Sequence, residues 1–310
     1  MNVVALAGGT GGAKLAHGLQ AALAPGDLTV IVNTGDDMER HGLLVMPDHD
    51  AVMYMLAGRF DDERGWGIRG ETWTLMDALA EYGEEAWFRL GDRDFATHIA
   101  RTARIGEGRA LTEVVRSLQE ALGISTSILP MTDEPVRTQV RTSEGWLDFQ
   151  EYFVHRRQEP EVREVQFHGI EAAVPTIQVL DALDRAEVIV IGPSNPIVSI
   201  GPILASPIAG RVSERARAGI PVVAVSPIVG GVALKGPADR MLISLGHESS
   251  ALGVARIYRE IATVFVLDTV DAALEPQIAI LGLRTLVTDT IMGDGAGRAR
   301  LARVVLGFAT

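Results

Sequence analysis

Val3-Val4-Ala5-Leu6-Ala7-Gly8-Gly9-Thr10-Gly11-Gly12-Ala13-Lys14 is the stretch that decides the fold. Five apolar residues of strand character break directly into a run of glycines. A helical pattern follows at once, with Leu15, Leu19, Ala22 and Leu23 spaced to share one face. A strand, a glycine turn and a helix start make a phosphate cradle. Glycine lets the backbone approach an anion closely, and the helix N-terminus offers unpaired N–H groups and a positive dipole. The bland alternative is a tight turn that binds nothing, but glycine-rich turns that open α/β sheets usually meet phosphate.

What the loop lacks narrows its ligand. A Walker loop ends in Gly-Lys-Ser/Thr, whereas Lys14 follows Ala13 and precedes Leu15, leaving no hydroxyl for a metal. The dinucleotide fingerprint is half met by Gly9-Thr10-Gly11, but Lys14 stands in the third glycine's place. A second strand, 28–32, runs into Asn33-Thr34-Gly35-Asp36-Asp37, with an amide at its tip where a ribose-binding acid would be expected. The loop therefore reads as a nucleotide site, with ordinary NAD disfavoured.

Further short, β-branched, apolar runs occur at 188–191, 222–225 and 264–267, as in strands buried on both faces. Helical segments are expected at 12–23, 176–186, 207–219 and 249–262. This alternation predicts an α/β fold with a doubly wound, Rossmann-like, mostly parallel sheet. The middle departs from it. Residues 71–122 read as a helical insertion, and 128–168 as a β excursion. Within the latter, Val136-Arg137-Thr138-Gln139-Val140-Arg141-Thr142 alternates in polarity and a Ser143-Glu144-Gly145 turn leads into Trp146-Leu147-Asp148-Phe149, a β-hairpin pattern. No linker marks a boundary, so 1–310 reads as a single nucleotide-binding domain.

Composition excludes several classes. With 28 Lys+Arg against 40 Asp+Glu, the 310-residue chain carries −12 and no basic block, which argues against nucleic acid as a partner. It has no cysteine, so disulfides, thiolate zinc sites and cysteine nucleophiles are absent, in keeping with a reducing compartment. No apolar stretch nears the ~18 residues that would cross a bilayer, and no basic n-region precedes the first apolar run. The expected setting is cytoplasmic, without membrane attachment. Lys14 and Lys235 are the only lysines.

Candidate chemistry gathers after the strands. Asp36, Asp37, Asp48 and Asp50 place four carboxylates within fifteen residues, the last two beside Pro47. Converging without a cation they would repel, and hard oxygen ligands of this kind suit Mg²⁺ held between carboxylates and substrate phosphates; a solvated acidic loop is the alternative. A second knot is Arg89-Leu90-Gly91-Asp92-Arg93-Asp94, continuing to Thr97-His98 and Arg101. There Asp92 is a plausible N-cap, Arg89 and Arg93 are available for phosphate, and His98 is more easily a satisfied helix histidine than a base. Gly192-Pro193-Ser194-Asn195-Pro196 follows a third strand, with Ser194 and Asn195 stiffened between prolines. Ser226-Pro227-Ile228-Val229-Gly230-Gly231, with Lys235-Gly236-Pro237 beyond it, follows a fourth. There is no G-x-S-x-G elbow and no H-E-x-x-H. What fits is group transfer, with backbone and cations holding a diphosphate.

In this order, the motifs Gly8-Gly9-Thr10-Gly11, Asn33-Thr34 with Asp36-Asp37, Pro47-Asp48-His49-Asp50, Leu90-Gly91-Asp92-Arg93-Asp94 with Thr97-His98, Leu129-Pro130-Met131 and Gly192-Pro193-Ser194-Asn195-Pro196 span nearly the whole chain. The chain closely resembles the CofD/FbiA family, the phospholactate transferases of deazaflavin coenzyme F-420 biosynthesis. Trp66-Gly67-Ile68 and Ser226-Pro227-Ile228 also look like family positions. The resemblance implies a guanosine diphosphate-linked donor of phospholactate or phosphoenolpyruvate. The ribityl hydroxyl of the deazaflavin precursor attacks the distal phosphorus, and GMP leaves. It further implies that Gly9, Thr10 and Gly11 cradle the diphosphate, to which Lys14 in the first helical turn adds a point charge by its own chemistry, and that Asn33, Ser194 and Asn195 hold the guanosine part. Asp50 and Arg89 would contact the deazaflavin acceptor. Asp48 and Asp50 would bind Mg²⁺ and serve the chemistry, with Asp50 as base, ligand or both. A homodimer is the family expectation. Two alternatives stay open. One is the related YvcK-like branch, which shares the glycine loop and binds nucleotide sugars without catalysis; the other is a Rossmann oxidoreductase.

Overall fold

The computed structural model describes residues 1–309. Strand β1 (Val3–Ala7) is buried along its whole length and leads into helix α1 (Gly9–Ala22). Strand β2 (Leu28–Val32) pairs parallel to β1, with Val3 opposite Leu28 and Ala7 opposite Val32. An antiparallel ribbon of β3 (Met38–Arg40) and β4 (Leu43–Val45) then delivers the chain to α2 (Pro47–Leu56). Pro47 opens α2 at a position where a missing N–H goes unfelt.

The helical insertion consists of α3 (Thr74–Glu81), α4 (Asp92–Gly106) and α5 (Leu111–Ala121), separated by turns. Asp92 is a cap, but for the wrong helix by sequence logic. Its carboxylate accepts from Thr74 N at 3.2 Å and Leu75 N at 3.0 Å, at the start of α3. The start of α4 is capped in return by Glu71, which accepts from the N–H groups of Arg93 and Asp94 at 3.0 and 3.1 Å. Each carboxylate satisfies donors the other helix leaves unpaired.

The β excursion divides in two. Its first piece, β5 (Ser127–Pro130), belongs to the main sheet and pairs parallel to β2. The hairpin is present as β6 (Arg137–Thr142) and β7 (Gly145–Asp148), and a third strand, β8 (Glu164–His168), pairs on the other side of β6. The chain returns through α6 (Ile177–Arg185), capped by the Thr176 hydroxyl, to β9 (Val188–Ile191). The helix expected over 207–219 is α8 (Ile208–Arg217), preceded by the short α7 (Gly201–Ala205). Then come β10 (Val222–Val225) and a small hairpin of β11 (Ile228–Val229) and β12 (Val232–Ala233), followed by α9 (Ala238–Ser244). Next are α10 (Ala251–Tyr258), capped by Ser250, and β13 (Val264–Asp268). The chain ends through α11 (Glu275–Ala279), β14 (Arg284–Thr288) and α12 (Gly295–Ala309).

Seven parallel strands form the central sheet in the order β14-β13-β10-β9-β1-β2-β5. Alternate residues of β1 feed two cores. Val4 and Leu6 meet Val179 and Leu183 of α6 and Val254 of α10, whereas Val3, Ala5 and Ala7 meet Leu15 and Leu19 of α1 and Leu301 and Val305 of α12. Each such fully buried Val or Leu contributes about 1.5–3 kcal/mol. Chain order reverses between β1 and β9, whose neighbours run away from them in opposite directions. The helices flanking β1 and β9 therefore diverge, opening a crevice at the strands' carboxyl ends.

Candidate active site

A cavity of about 910 Å³ lies in that crevice. Its floor is the junction of two loops. Gly8 N donates to Ser194 Oγ at 3.2 Å, and that hydroxyl donates to Gly8 O at 2.6 Å. A Cβ on Gly12 would stand 2.6 Å from Ser194 Oγ and 2.8 Å from Ala7 Cβ, and one on Gly11 would overlap Pro193 O. Glycine is required because the two loops touch, which also leaves the backbone N–H groups of α1 open to the cavity. Gly9, Thr10, Gly11, Lys14, Ser194 and Asn195 all line it, as expected.

Asn33 is different. Its Nδ2 donates to Asp48 Oδ2 at 2.9 Å and to Val198 O at 3.2 Å, while its Oδ1 accepts from Gly35 N at 2.8 Å. Fully buried and engaged, it braces Asp48 and the loop after β9 instead of presenting an amide to guanosine. Ser194 also spends its hydroxyl on Gly8. Asn195 Oδ1 accepts from Ile197 N at 2.9 Å, which stiffens the loop.

Two acidic groups form the back wall. Asp48 is buried; desolvation raises its carboxyl to about 6, although Asn33 and Gly9 hydrogen bonds oppose this. Asp36 lies close enough to be pushed well above the usual range by burial and by Asp48, and its buried Oδ1 has no partner. Both line the cavity. Asp37, behind them, is raised by burial, with Arg137 and Arg101 opposing.

Asp50 belongs to a second group. Arg101, wholly buried on α4, donates from Nη1 to Asp50 Oδ2 at 3.1 Å and from Nη2 to Asp50 Oδ1, and it also reaches Leu44 O at 3.2 Å. His98 Nδ1 lies 3.6 Å from Asp50, and its Nε2 lies 3.3 Å from Asp94, which accepts from the Tyr54 hydroxyl at 2.6 Å. Asp50, Asp94 and His98 are spaced as metal ligands could be, but the Arg101 guanidinium already fills the role of cation. The expected ligand pair, Asp48 with Asp50, is thus not assembled: Asp50's two oxygens are committed to Arg101. Asp36 with Asp48 is the pair whose crowding and unpartnered oxygen suit a divalent ion.

The far wall is aromatic. Trp66 and Trp73 stand edge to face at 5.7 Å, Arg64 lies over both rings, and Arg89 lies over Trp73 at 4.9 Å. Arg89 lines the cavity and pairs with Asp77 at 3.2 Å. Trp87 is stacked on His155 on one face and covered by Arg40 on the other. Arg93, expected to be free for phosphate, is exposed and does not line this cavity. Sequence reasoning gives no role to Arg101 or Lys235, and offers Asp36 only as one of four converging carboxylates. Arg101's burial needs a carboxylate 51 positions away, and no local pattern announces that.

The fold matches a crystal structure of a Bacillus halodurans protein of the UPF0052 family with a TM-score of 0.65, at 15% identity over 98% of this chain and 99% of that one. At that identity the likeness shows the fold alone. Relatives are closer. A 2-phospho-L-lactate transferase of Methanosarcina mazei is 40% identical over 98% of this chain and 99% of its own length. A phosphoenolpyruvate transferase of Streptomyces griseus is 43% identical over 100% and 98%. No helix among the described residues is long and apolar enough to cross a membrane. The family model of 2-phospho-L-lactate transferase CofD matches residues 3–279, and with those relatives it establishes that this chain belongs to the CofD family and is a transferase.

Proposed function

We propose that the protein transfers a phospholactyl or phosphoenolpyruvyl group from a guanosine diphosphate-linked donor to the ribityl hydroxyl of a deazaflavin precursor. The observation that carries this reading is the cavity itself. It sets a glycine cradle with Lys14 and a buried acid pair opposite a wall of Trp66, Trp87 and Phe88 wide enough for a flat ring system. The acceptor oxygen forms a bond to the phosphorus that bears the three-carbon acid. The bond from that phosphorus to the bridging oxygen breaks, its electron pair stays on GMP, and the hydroxyl proton passes to a carboxylate. Asp48, which lines the cavity against the glycine loop, suits that last task. Mg²⁺, held by Asp36 and Asp48, would neutralise charge that develops on the phosphates. Asp50, fixed by Arg101, serves as a rigid hydrogen-bond acceptor for the deazaflavin, with Arg89 at the same mouth.

The test is to mix purified protein with the deazaflavin precursor, Mg²⁺ and each guanylated donor, and to look for product and GMP by mass. Product from one donor supports the reading and names the three-carbon acid, and Asp48→Asn should then lose turnover while still binding GDP. Folded protein that binds nucleotide sugars and gives no product from any donor would move the assignment to a non-catalytic regulator.

A further inference from the structure

The chain's two lysines both line this cavity, close enough for each charge to act on the other. Lys14 projects from α1 beside the glycine cradle. Lys235 follows β12, and its ammonium donates to the carbonyl of Gly65. That carbonyl also accepts from the Thr10 hydroxyl at 3.1 Å. Lys235 is therefore held one carbonyl away from the cradle, in the cavity that Trp66 also lines. Gly65 has φ +78°, a backbone that calls for glycine, and the lysine ammonium packs against its Cα face.

The charge of Lys235 has no acid beside it. Among the described residues no carboxylate lies within ion-pair distance, and Asp62, which pulls on it from further off, is paired with Arg298. Burial, then Lys14, hold its pKa below the usual lysine range, as for an ammonium waiting for an anion. The donor class supplies one. Phospholactate and phosphoenolpyruvate both carry a carboxylate on the carbon that bears the phosphate oxygen. The glycine cradle and Lys14 suffice for the two phosphate charges, and Arg89 is engaged by Asp77. One negative charge on the donor and one unpaired cation on the wall remain.

We propose that Lys235 leaves the Gly65 carbonyl to bind the carboxylate of the donor's three-carbon acid, and so selects 2-phosphorylated carboxylic acids. This rests on the guanylated-donor reading. Lys235 is an exposed residue with one hydrogen bond, so substitutions there leave the fold intact, which a melting curve checks.

The experiment titrates wild type, Lys235→Ala and Lys235→Arg with GDP, with a guanylated phospho-acid donor, and with the ethyl ester of GDP, which lacks the carboxylate. A charged hydrogen bond is worth about 1.5–3 kcal/mol, so Lys235→Ala should weaken the carboxylate-bearing donor roughly 10- to 100-fold. It should leave GDP and the ethyl ester unchanged, and Lys235→Arg should restore most of the loss. Equal weakening of all three ligands would place Lys235 on the diphosphate and overturn the proposal, as would no weakening of any. Failure of wild type to bind GDP would instead remove the donor reading itself, and this proposal with it.

Discussion

Replacing Arg101 with methionine is the sharpest test of how the acid cluster is held. Arg101 is fully buried, makes two hydrogen bonds to Asp50 and one to Leu44 O, and lies 3.3 Å from His98 Nδ1. Burial alone would lower its pKa, and Asp50 more than restores it. Methionine keeps most of the stem's packing and leaves Asp50 as a buried charge without a partner. Removing one member of such a pair costs about 3–5 kcal/mol, against a total stability of roughly 5–15 kcal/mol for a domain. Arg101→Met should thus lose a fifth or more of the folding free energy. Arg101→Met with Asp50→Leu should recover at least half of that loss, because the stranded charge goes with its partner. Equilibrium urea unfolding, followed by tryptophan fluorescence and far-ultraviolet circular dichroism together, measures both and checks that the transitions coincide. A loss below about 1 kcal/mol for the single variant, or simple additivity in the double, would show that the two side chains are not coupled.

Gly12→Ala drives a methyl group against Ser194 Oγ and Ala7, so the loop after β9 must move away from the cradle; GDP affinity measured by calorimetry should fall tenfold or more while Gly210→Ala, with open space at its Cβ, leaves it unchanged. His49 is wholly buried with neither ring nitrogen bonded, and desolvation lowers its pKa to about 4. The unfolded chain then binds the extra proton, so the His49 contribution is full above pH ~6.5 and falls away towards pH 4, by about 3 kcal/mol in all. Because the raised carboxyls of Asp36, Asp37 and Asp48 act in the opposite sense, the effect is read as the difference in pH dependence between wild type and His49→Leu. Removal of divalent ions with a chelator should abolish transfer and Mg²⁺ should restore it, with Asp36→Asn raising the Mg²⁺ concentration that gives half-maximal rate.

The central strands were legible because their cause is local. A strand buried on both faces must be apolar throughout, and Val3–Ala7, Val188–Ile191 and Val222–Val225 are. Edge strands carry a weaker signal. In β14, Arg284-Thr285-Leu286-Val287-Thr288 is nowhere fully buried, and the sequence reading passed over it. β8 alternates between half-buried and exposed, so only the β6–β7 hairpin, marked by its turn, stood out. The site followed the same rule. The glycine cradle was readable because glycines report a close approach wherever it occurs. The partners of Asn33, Asp50 and Lys235 were not, because each lies on a segment brought near only by the crossovers of the sheet.

That contrast also explains how one short motif does two jobs. Asp48 and Asp50 are two residues apart in the first turn of α2, and 100° per residue sends their side chains some 200° apart around the helix. Adjacent acids in the sequence invite a shared ion, but the helix forbids a common direction. Asp48 turns to Asn33 and the glycine loop, where Asp36 arrives from the end of β2 with an unpartnered oxygen. Asp50 turns to Arg101 on α4, across the inserted helices. His49, between them, points into the interior, which is why it is buried without partners. The helical insertion thus belongs to the chemistry as much as the sheet does. It supplies the guanidinium that neutralises Asp50 from within the fold, and on the proposed reading a divalent ion would fall to Asp36 and Asp48.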